Sequence, residues 1–328
     1  MRAWQVQGAG EPTEVFHLVE REAPEPGPGQ LQVPVTAAGI GLPDVLMCRA
    51  VYPLTPPLPF TPGQELAGVV SKVGPGVDTP IGTRVMSTSG FVEGNGSFAE
   101  YTIANAAQVF PIPTALDDAS AAGFWIPHMT GWIGLVDRGK IQAGDWLAIL
   151  GAAGGSGIAA VQLGKALGAK VIAVVSDQAK ADFCTNLGAD ATVLVGDGKF
   201  SGALREATGG AGADLIYDPV GGEPAEEAFK ALARDGRLLA EGFASGRWPN
   251  IHAHDFVVTN TSLVGVFAGG YSRQHLDDIH AALSDLLTAG TLRNAVTERV
   301  PFEELPQAVQ RLADRKVLGK LVLDGPIS

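Results

Sequence analysis

Apolar residues in this chain follow two rhythms. From residue 146 onward, short unbroken apolar runs recur at Trp146–Leu150, Lys170–Val175, 191–195, 214–217, 237–240 and 262–267, separated by helix-like stretches such as 158–167. Strands of this kind, alternating with helices, predict an open, doubly wound parallel sheet, because parallel neighbours need a crossover and the crossover helices bury both faces. Before about residue 120 the segments are shorter, for example 31–37, 65–73 and 84–87. Turn residues separate them, among them Pro24, Pro26, Pro28 and Gly74-Pro75-Gly76. Such spacing predicts a compact, mostly β domain. Near the end, 275–287 carries Leu276, Ile279, Leu283 and Leu286 at helical spacing, and 317–323 reads as a strand returning to the first domain.

Between the run Trp146–Leu150 and the next helix lies Gly151-Ala152-Ala153-Gly154-Gly155-Ser156-Gly157. A glycine-rich turn from a buried strand into a helix N-terminus suits a pyrophosphate: the main chain approaches closely and free N–H groups point at the anion. Ala152 stands where the first glycine of G-x-G-x-x-G belongs, and Gly154 and Gly157 keep register. Alone, such a turn also joins strand to helix with no ligand. The strand, helix, strand context favours a dinucleotide.

The chain has 328 residues, enough for two domains, and a net charge of −12 that would repel a phosphate backbone or an anionic membrane surface. No apolar run is long enough to span a bilayer, and the opening Met1-Arg2-Ala3-Trp4 lacks a signal peptide's apolar core, so a cytoplasmic protein is expected. Cys48 and Cys184, far apart and outside any CxxC, read as buried free thiols.

Several spaced motifs agree: the turn-rich β region, the turn 152–157, Asp218-Pro219-Val220-Gly221, Gly242-Phe243-Ala244-Ser245-Gly246 and Gly319-Lys320-Leu321-Val322-Leu323. Over nearly its whole length the chain resembles the medium-chain dehydrogenase/reductase superfamily, and within it the zinc-independent quinone oxidoreductase branch. The resemblance implies a GroES-like catalytic domain (1–123 and 269–328), a Rossmann cofactor domain (124–268) and a substrate cleft at their junction. It also implies a homodimer, for which the apolar run 262–267, as the last strand of the sheet, offers an unpaired edge.

Where zinc-dependent relatives carry ligands, this chain has Gly41, Gln64 and Ile126. Two of these lack a ligating side chain and a glutamine carbonyl is a poor one, so no catalytic metal is expected. The segment 86–101 contains no cysteine, which removes the four-cysteine lobe. Asp44 and Glu65 read as hydrogen-bonded structural carboxylates. His128 falls near the expected cleft, in contact with substrate or cofactor or in a structural role.

At the end of the second Rossmann strand an NAD-specific relative presents an acid to the adenosine ribose. Val175 takes that place here, followed by Ser176, while Lys180 matches a lysine that binds the 2′-phosphate in related quinone reductases; NADPH is the expected cofactor. Asp177 opposes a phosphate if it turns inward, and Val195 replaces a tyrosine of the adenosine site. The resemblance further implies that Gly154, Gly155, Ser156 and Gly157 hold the pyrophosphate. Thr130, Val220, Phe243 and Phe267 flank the cofactor and Lys320 reaches it, although Val220 and Phe267, ending apolar runs, also read as core. Tyr52 is the candidate catalytic group, its hydroxyl placed to hydrogen-bond or protonate an enolate, with packing beside Pro53 as the alternative. Gly41 stands where many quinone reductases have an asparagine.

The expected function is NADPH-dependent, zinc-independent hydride transfer to a quinone or an α,β-unsaturated carbonyl compound. An enoyl-thioester reductase on the same scaffold, or a non-catalytic NADPH-binding protein, is the alternative.

Overall fold

In the computed structural model, which describes residues 1–325, the turn-rich first third forms β1 (Arg2–Val6), β2 (Phe16–Glu20), β3 (Gln30–Ile40), β4 (Glu65–Val69), β5 (Lys72–Val73), β6 (Arg84–Thr88), β7 (Tyr101–Asn105) and β8 (Val109–Pro111). The middle supplies β9 (Trp146–Leu150), β10 (Lys170–Val175), β11 (Ala191–Leu194), β12 (Ala213–Asp218), β13 (Leu232–Ala240) and β14 (Ser262–Gly265), and the chain closes with β15 (Val296–Val300) and β16 (Lys320–Asp324). Two compact units result, one of residues 1–126, 272–284 and 294–325, the other of 127–271 and 285–293. The stretch 285–293, which the sequence reading leaves with the first unit, groups with the second.

In the first unit the sheet order is β15-β16-β3-β4-β6-β8, with β5 and β7 also pairing β3. The single segment expected at 65–73 is two strands: β4 pairs with the second half of β3 and β5 with its start, so the chain bends between them to follow β3 around the unit. The C-terminal β16 runs antiparallel to β3, Leu321 opposite Ile40. Leu31, Val33, Phe60, Leu66, Phe98 and Val309 are fully buried in the core between these elements.

Lys320 and Glu65 lie on the two strands that flank β3, and they pair across it. Their side chains are 7% and 4% exposed. The crossing needs Gly39 on β3: a Cβ there would sit 2.3 Å from Glu65 Oε1 and 2.5 Å from the carbonyl oxygen of Ala122. The other Glu65 oxygen accepts the N–H of Ile126 at 3.1 Å. A buried pair of this kind is held in place by what its loss would expose rather than by large net attraction.

The second unit is the doubly wound sheet, order β11-β10-β9-β12-β13-β14, with every neighbouring pair parallel. Leu147, Ala148, Ile149, Val171, Ile172, Leu215 and Ile216 are fully buried, as continuous apolar strands covered on both faces require. Strand order reverses beside β9, which leaves a crevice at the carboxyl ends of β9 and its neighbours. The edge strand β14 ends at Gly265, short of the expected 267, because its ladder partner β13 ends at Ala240, opposite Gly265. Phe267 therefore stands 68% exposed, and Leu263 is 47% exposed. Both cysteines are buried free thiols, and burial pushes Cys184 up to about 11.

Lys320→Met alone strands a buried carboxylate and should cost about 3–5 kcal/mol of stability, whereas Glu65→Gln combined with Lys320→Met should recover most of that loss. Urea denaturation of the two single variants and the double variant gives the coupling; additive losses would show that the pair is not a unit.

Candidate active site

The second unit brings most of the expected cofactor residues to one end of its sheet. Gly151 has φ +59° and turns the chain off β9; Gly154 caps the helix Gly155–Ala166. This helix starts three residues before the expected 158, since glycines in a first turn leave little apolar signal. A Cβ on Gly157 would lie 2.4 Å from the Gly151 carbonyl oxygen and 2.6 Å from Ala152 Cα, so only glycine lets the helix pack this close to the strand it follows. The first-turn N–H groups, those of Gly155, Ser156 and Gly157, have no partner within the helix and face outward along its axis with its positive dipole end.

Ser176, Asp177 and Lys180 follow β10. Lys180 Nζ donates to Ser176 Oγ at 2.8 Å and lies 3.2 Å from Asp177 Oδ2, while Ser176 Oγ donates to that same carboxylate at 2.8 Å. Asp177 is the N-cap of the helix Gln178–Asn186, and the Lys180 N–H it accepts is the chief reason its carboxyl is held below the usual range. The acid that could oppose a 2′-phosphate is thus engaged by the residues proposed to bind one.

Val220 follows β12 and Phe243 follows β13. Asp218 Oδ1 accepts the N–H groups of Val220 and Gly221 at 2.9 and 2.7 Å, and the N–H of Ser245 donates to the Val220 carbonyl at 2.8 Å, so the two turns are stitched together. Both side chains are half-buried, Val220 against the core cluster. A Cβ on Gly151 would meet Val220 Cγ2 at 3.1 Å, which places Val220 against the glycine turn. Phe243 packs on Trp248 with ring centroids 5.0 Å apart. Phe267, just past β14, is at the same end and exposed. On the helix Trp125–Trp132, His128 is fully buried and Thr130 nearly so.

Sequence reading gives no role to three groups here: Tyr217, Asp218 (named only within its motif) and Glu241. Ser156 Oγ lies 3.0 Å from Tyr217 Oη and 3.4 Å from Glu241 Oε2. Burial pushes Asp218 up to about 6; burial, with the neighbouring Asp218 charge, pushes Glu241 up to about 7. The sequence signals were an acid at the end of each of two apolar runs and, for Asp218, its place in the motif Asp218-Pro219-Val220-Gly221.

The first unit holds the remaining residues. The Asp44 carboxylate, buried after β3, accepts the N–H of Gly41 at 2.8 Å and of Gly63 at 3.1 Å, and burial still pushes it up to about 7. Of the positions matched to zinc ligands, Gly41 has no side chain and Ile126 gives its N–H to Glu65, leaving Gln64. Among the described residues no group of three or more His, Cys, Asp or Glu side chains is arranged to hold a metal ion. Tyr52 sits in a turn after the helix Leu42–Cys48, half-buried against the core, and its carbonyl accepts from the Thr55 N–H and hydroxyl at 3.0 and 2.7 Å. Lys320, expected at the cofactor, has its ammonium on Glu65.

Comparison with known proteins agrees with this arrangement. Residues 27–114 match the family described as alcohol dehydrogenase GroES-like domain, and 155–287 match zinc-binding dehydrogenase. The chain is 32% identical to quinone oxidoreductase-like protein 2 homolog of Nematostella vectensis, over 91% of this chain and 82% of that one. It is 31% identical to a 2-haloacrylate reductase from a Burkholderia species, over 94% of each. The solved quinone oxidoreductase of Escherichia coli, complexed with NADPH, superposes with a TM-score of 0.92 at 28% identity, covering 99% of this chain and 100% of that chain. The chain belongs to the medium-chain dehydrogenase/reductase superfamily, a superfamily of oxidoreductases, and within it to the quinone oxidoreductase-like proteins.

Proposed function

We propose that the chain is an NADPH-dependent, zinc-independent reductase that transfers hydride to a quinone or an α,β-unsaturated carbonyl compound. The observation that carries this reading is the convergence of the glycine turn, Ser176, Lys180, Val220 and Phe243 at the carboxyl ends of adjacent parallel strands. The residues fit a dinucleotide: the Gly155, Ser156 and Gly157 N–H groups would hold its pyrophosphate, and Lys180 with Ser176 its 2′-phosphate. When bound, NADPH supplies a hydride from nicotinamide C4.

What the chain must add is position and charge control. Val220 and Phe243 offer apolar surface that orients a flat ring and keeps water from it, and Thr130, Phe267 and, from its pair with Glu65, Lys320 complete the set assigned to the cofactor. Tyr52 Oη is the assigned proton source for an enolate oxygen, a role quinone reduction does not require. Gly41, Gln64 and Ile126 support chemistry without zinc. A 2-haloacrylate is a conjugated alkene, so the Burkholderia relative supports the unsaturated-carbonyl half of the reading. No helix among the described residues is long and apolar enough to cross a membrane, and the charge of −12 disfavours nucleic acid, which supports a cytoplasmic enzyme of small molecules. The domain limits 1–123 with 269–328, and 124–268, belong to the same reading.

Lys180→Ala should weaken NADPH binding by about 1.5–3 kcal/mol while leaving NADH nearly unchanged, the scale of a lost charge-assisted hydrogen bond. Fluorescence titration with both nucleotides decides it; equal losses would make Lys180 a structural residue that braces Asp177. Tyr52→Phe should keep NADPH affinity and slow enone reduction more than quinone reduction in steady-state assays. Wild-type rates with both acceptors would leave Tyr52 as packing. The exposed β14 edge supports a homodimer, to be seen as a doubled mass in sedimentation velocity; a monomer at micromolar concentration would count against it.

A further inference from the structure

Beside the glycine turn the carboxyl groups of Asp218 and Glu241 are near enough to feel one another's charge, and neither has an ion-pair partner among the described residues. Asp218 ends β12 opposite Ala240, so Glu241 follows directly across the strand pair, and the N–H groups of Glu241 and Gly242 both donate to the Asp218 carbonyl, at 3.0 and 3.1 Å. Asp218 Oδ1 is used by the Val220 and Gly221 N–H groups; the buried Oδ2 has no partner among the described residues. The groups that act on Glu241 are Asp218 from β12 and the Ser156 hydroxyl from the helix Gly155–Ala166; Tyr217, also on β12, feels the Glu241 charge. Tyr217 is held far above its ordinary range by burial and does not titrate near neutrality. Burial and Asp218 raise Glu241 to about 7, so near neutral pH this carboxyl exchanges its proton.

Ser156 joins this cluster to the ligand. Its hydroxyl is 3.4 Å from Glu241 Oε2, and its main-chain N–H belongs to the first turn that would hold the pyrophosphate. An ionised Glu241, half-buried on the Ser156 hydroxyl, adds like-charge repulsion beside the turn that would hold the pyrophosphate. A protonated Glu241 removes that repulsion and donates a hydrogen bond of its own.

We propose that Glu241 is a proton-linked positioning residue for the dinucleotide: the nucleotide binds to the form in which Glu241 carries a proton, and binding draws that proton from solvent. This rests on the dinucleotide reading above. The step is a proton transfer alone: the buffer acid loses a proton, an O–H bond forms on the Glu241 carboxylate, and nothing is oxidised or reduced. Because the bound state holds more protons than the free state, affinity is highest below the titration of Glu241 and falls as pH rises through it.

The test is calorimetric titration of the wild-type protein with NADH, which lacks the titrating 2′-phosphate, between about pH 6.5 and about pH 8.5 in two buffers of different ionisation enthalpy. The wild type should take up protons on binding, and its Kd should rise by up to about tenfold per pH unit above neutrality, the limit for one linked proton. Glu241→Gln should bind with a flat pH profile and no uptake. With NADPH the same difference between wild type and variant should sit on top of the contribution of the 2′-phosphate. Absence of uptake by the wild type, or uptake that persists in Glu241→Gln, overturns the proposal. If NADH and NADPH both bind with flat profiles, this inference fails and the dinucleotide reading stands; if neither binds at any of these pH values, both fail.

Discussion

Parallel pairing of β9 with β10 and β12 is the constraint on which the rest depends. It sends all six carboxyl ends of the second sheet in one direction, so residues far apart in sequence, from Gly154 to Phe243, emerge side by side. The helix that leaves β9 can then present its N-terminus at that edge only if it packs almost onto the strand. Gly157 makes this possible, because a side chain there would run into the Gly151 carbonyl. Sheet topology thus creates the strand-end crevice proposed to hold the anion, and one missing side chain lets the helix pack against its strand there.

Charge within the fold is managed in three ways, each with its own consequence. Glu65 and Lys320 neutralise one another across β3, which ties the C-terminal strand to β4. Asp44 has two main-chain N–H donors that hold the turns at Gly41 and Gly63, although burial still dominates its titration. Asp218 and Glu241 have no ion-pair partner among the described residues, and protonation is a means of relieving their repulsion. The first two arrangements stiffen a scaffold. The third couples a titration to the loop that faces the ligand.

Much of this was legible in the sequence because it is local. Apolar runs bounded by turn residues mark the strands of the second sheet, and the glycine spacing marks the turn after β9. Counting along the second strand reaches Val175, while Lys180 is singled out only through the family resemblance. What was not legible is set by pairing between distant segments. The Glu65–Lys320 contact depends on β3 lying between two strands more than two hundred residues apart in sequence and on Gly39 leaving room, so Lys320 read as a cofactor residue. The pair Asp218 and Glu241 depends on the register of β12 with β13, which no periodicity encodes. Phe267 and Val220 read partly as core because they end apolar runs; Val220 does pack against the core from its half-buried position, whereas the β13–β14 ladder stops before Phe267 and leaves it exposed.

The central claim is that these strand ends hold NADPH for hydride transfer to a conjugated acceptor, with position and apolar surface in place of a metal. The most direct measurement is NADPH oxidation by chelator-treated protein, verified metal-free by elemental analysis, in the presence of quinones, enones and enoyl thioesters. The account predicts that turnover with a quinone or an enone survives removal of metal at the rate of untreated protein. Activity that vanishes on chelation and returns with zinc, or no NADPH oxidation with any of these acceptors, would contradict it.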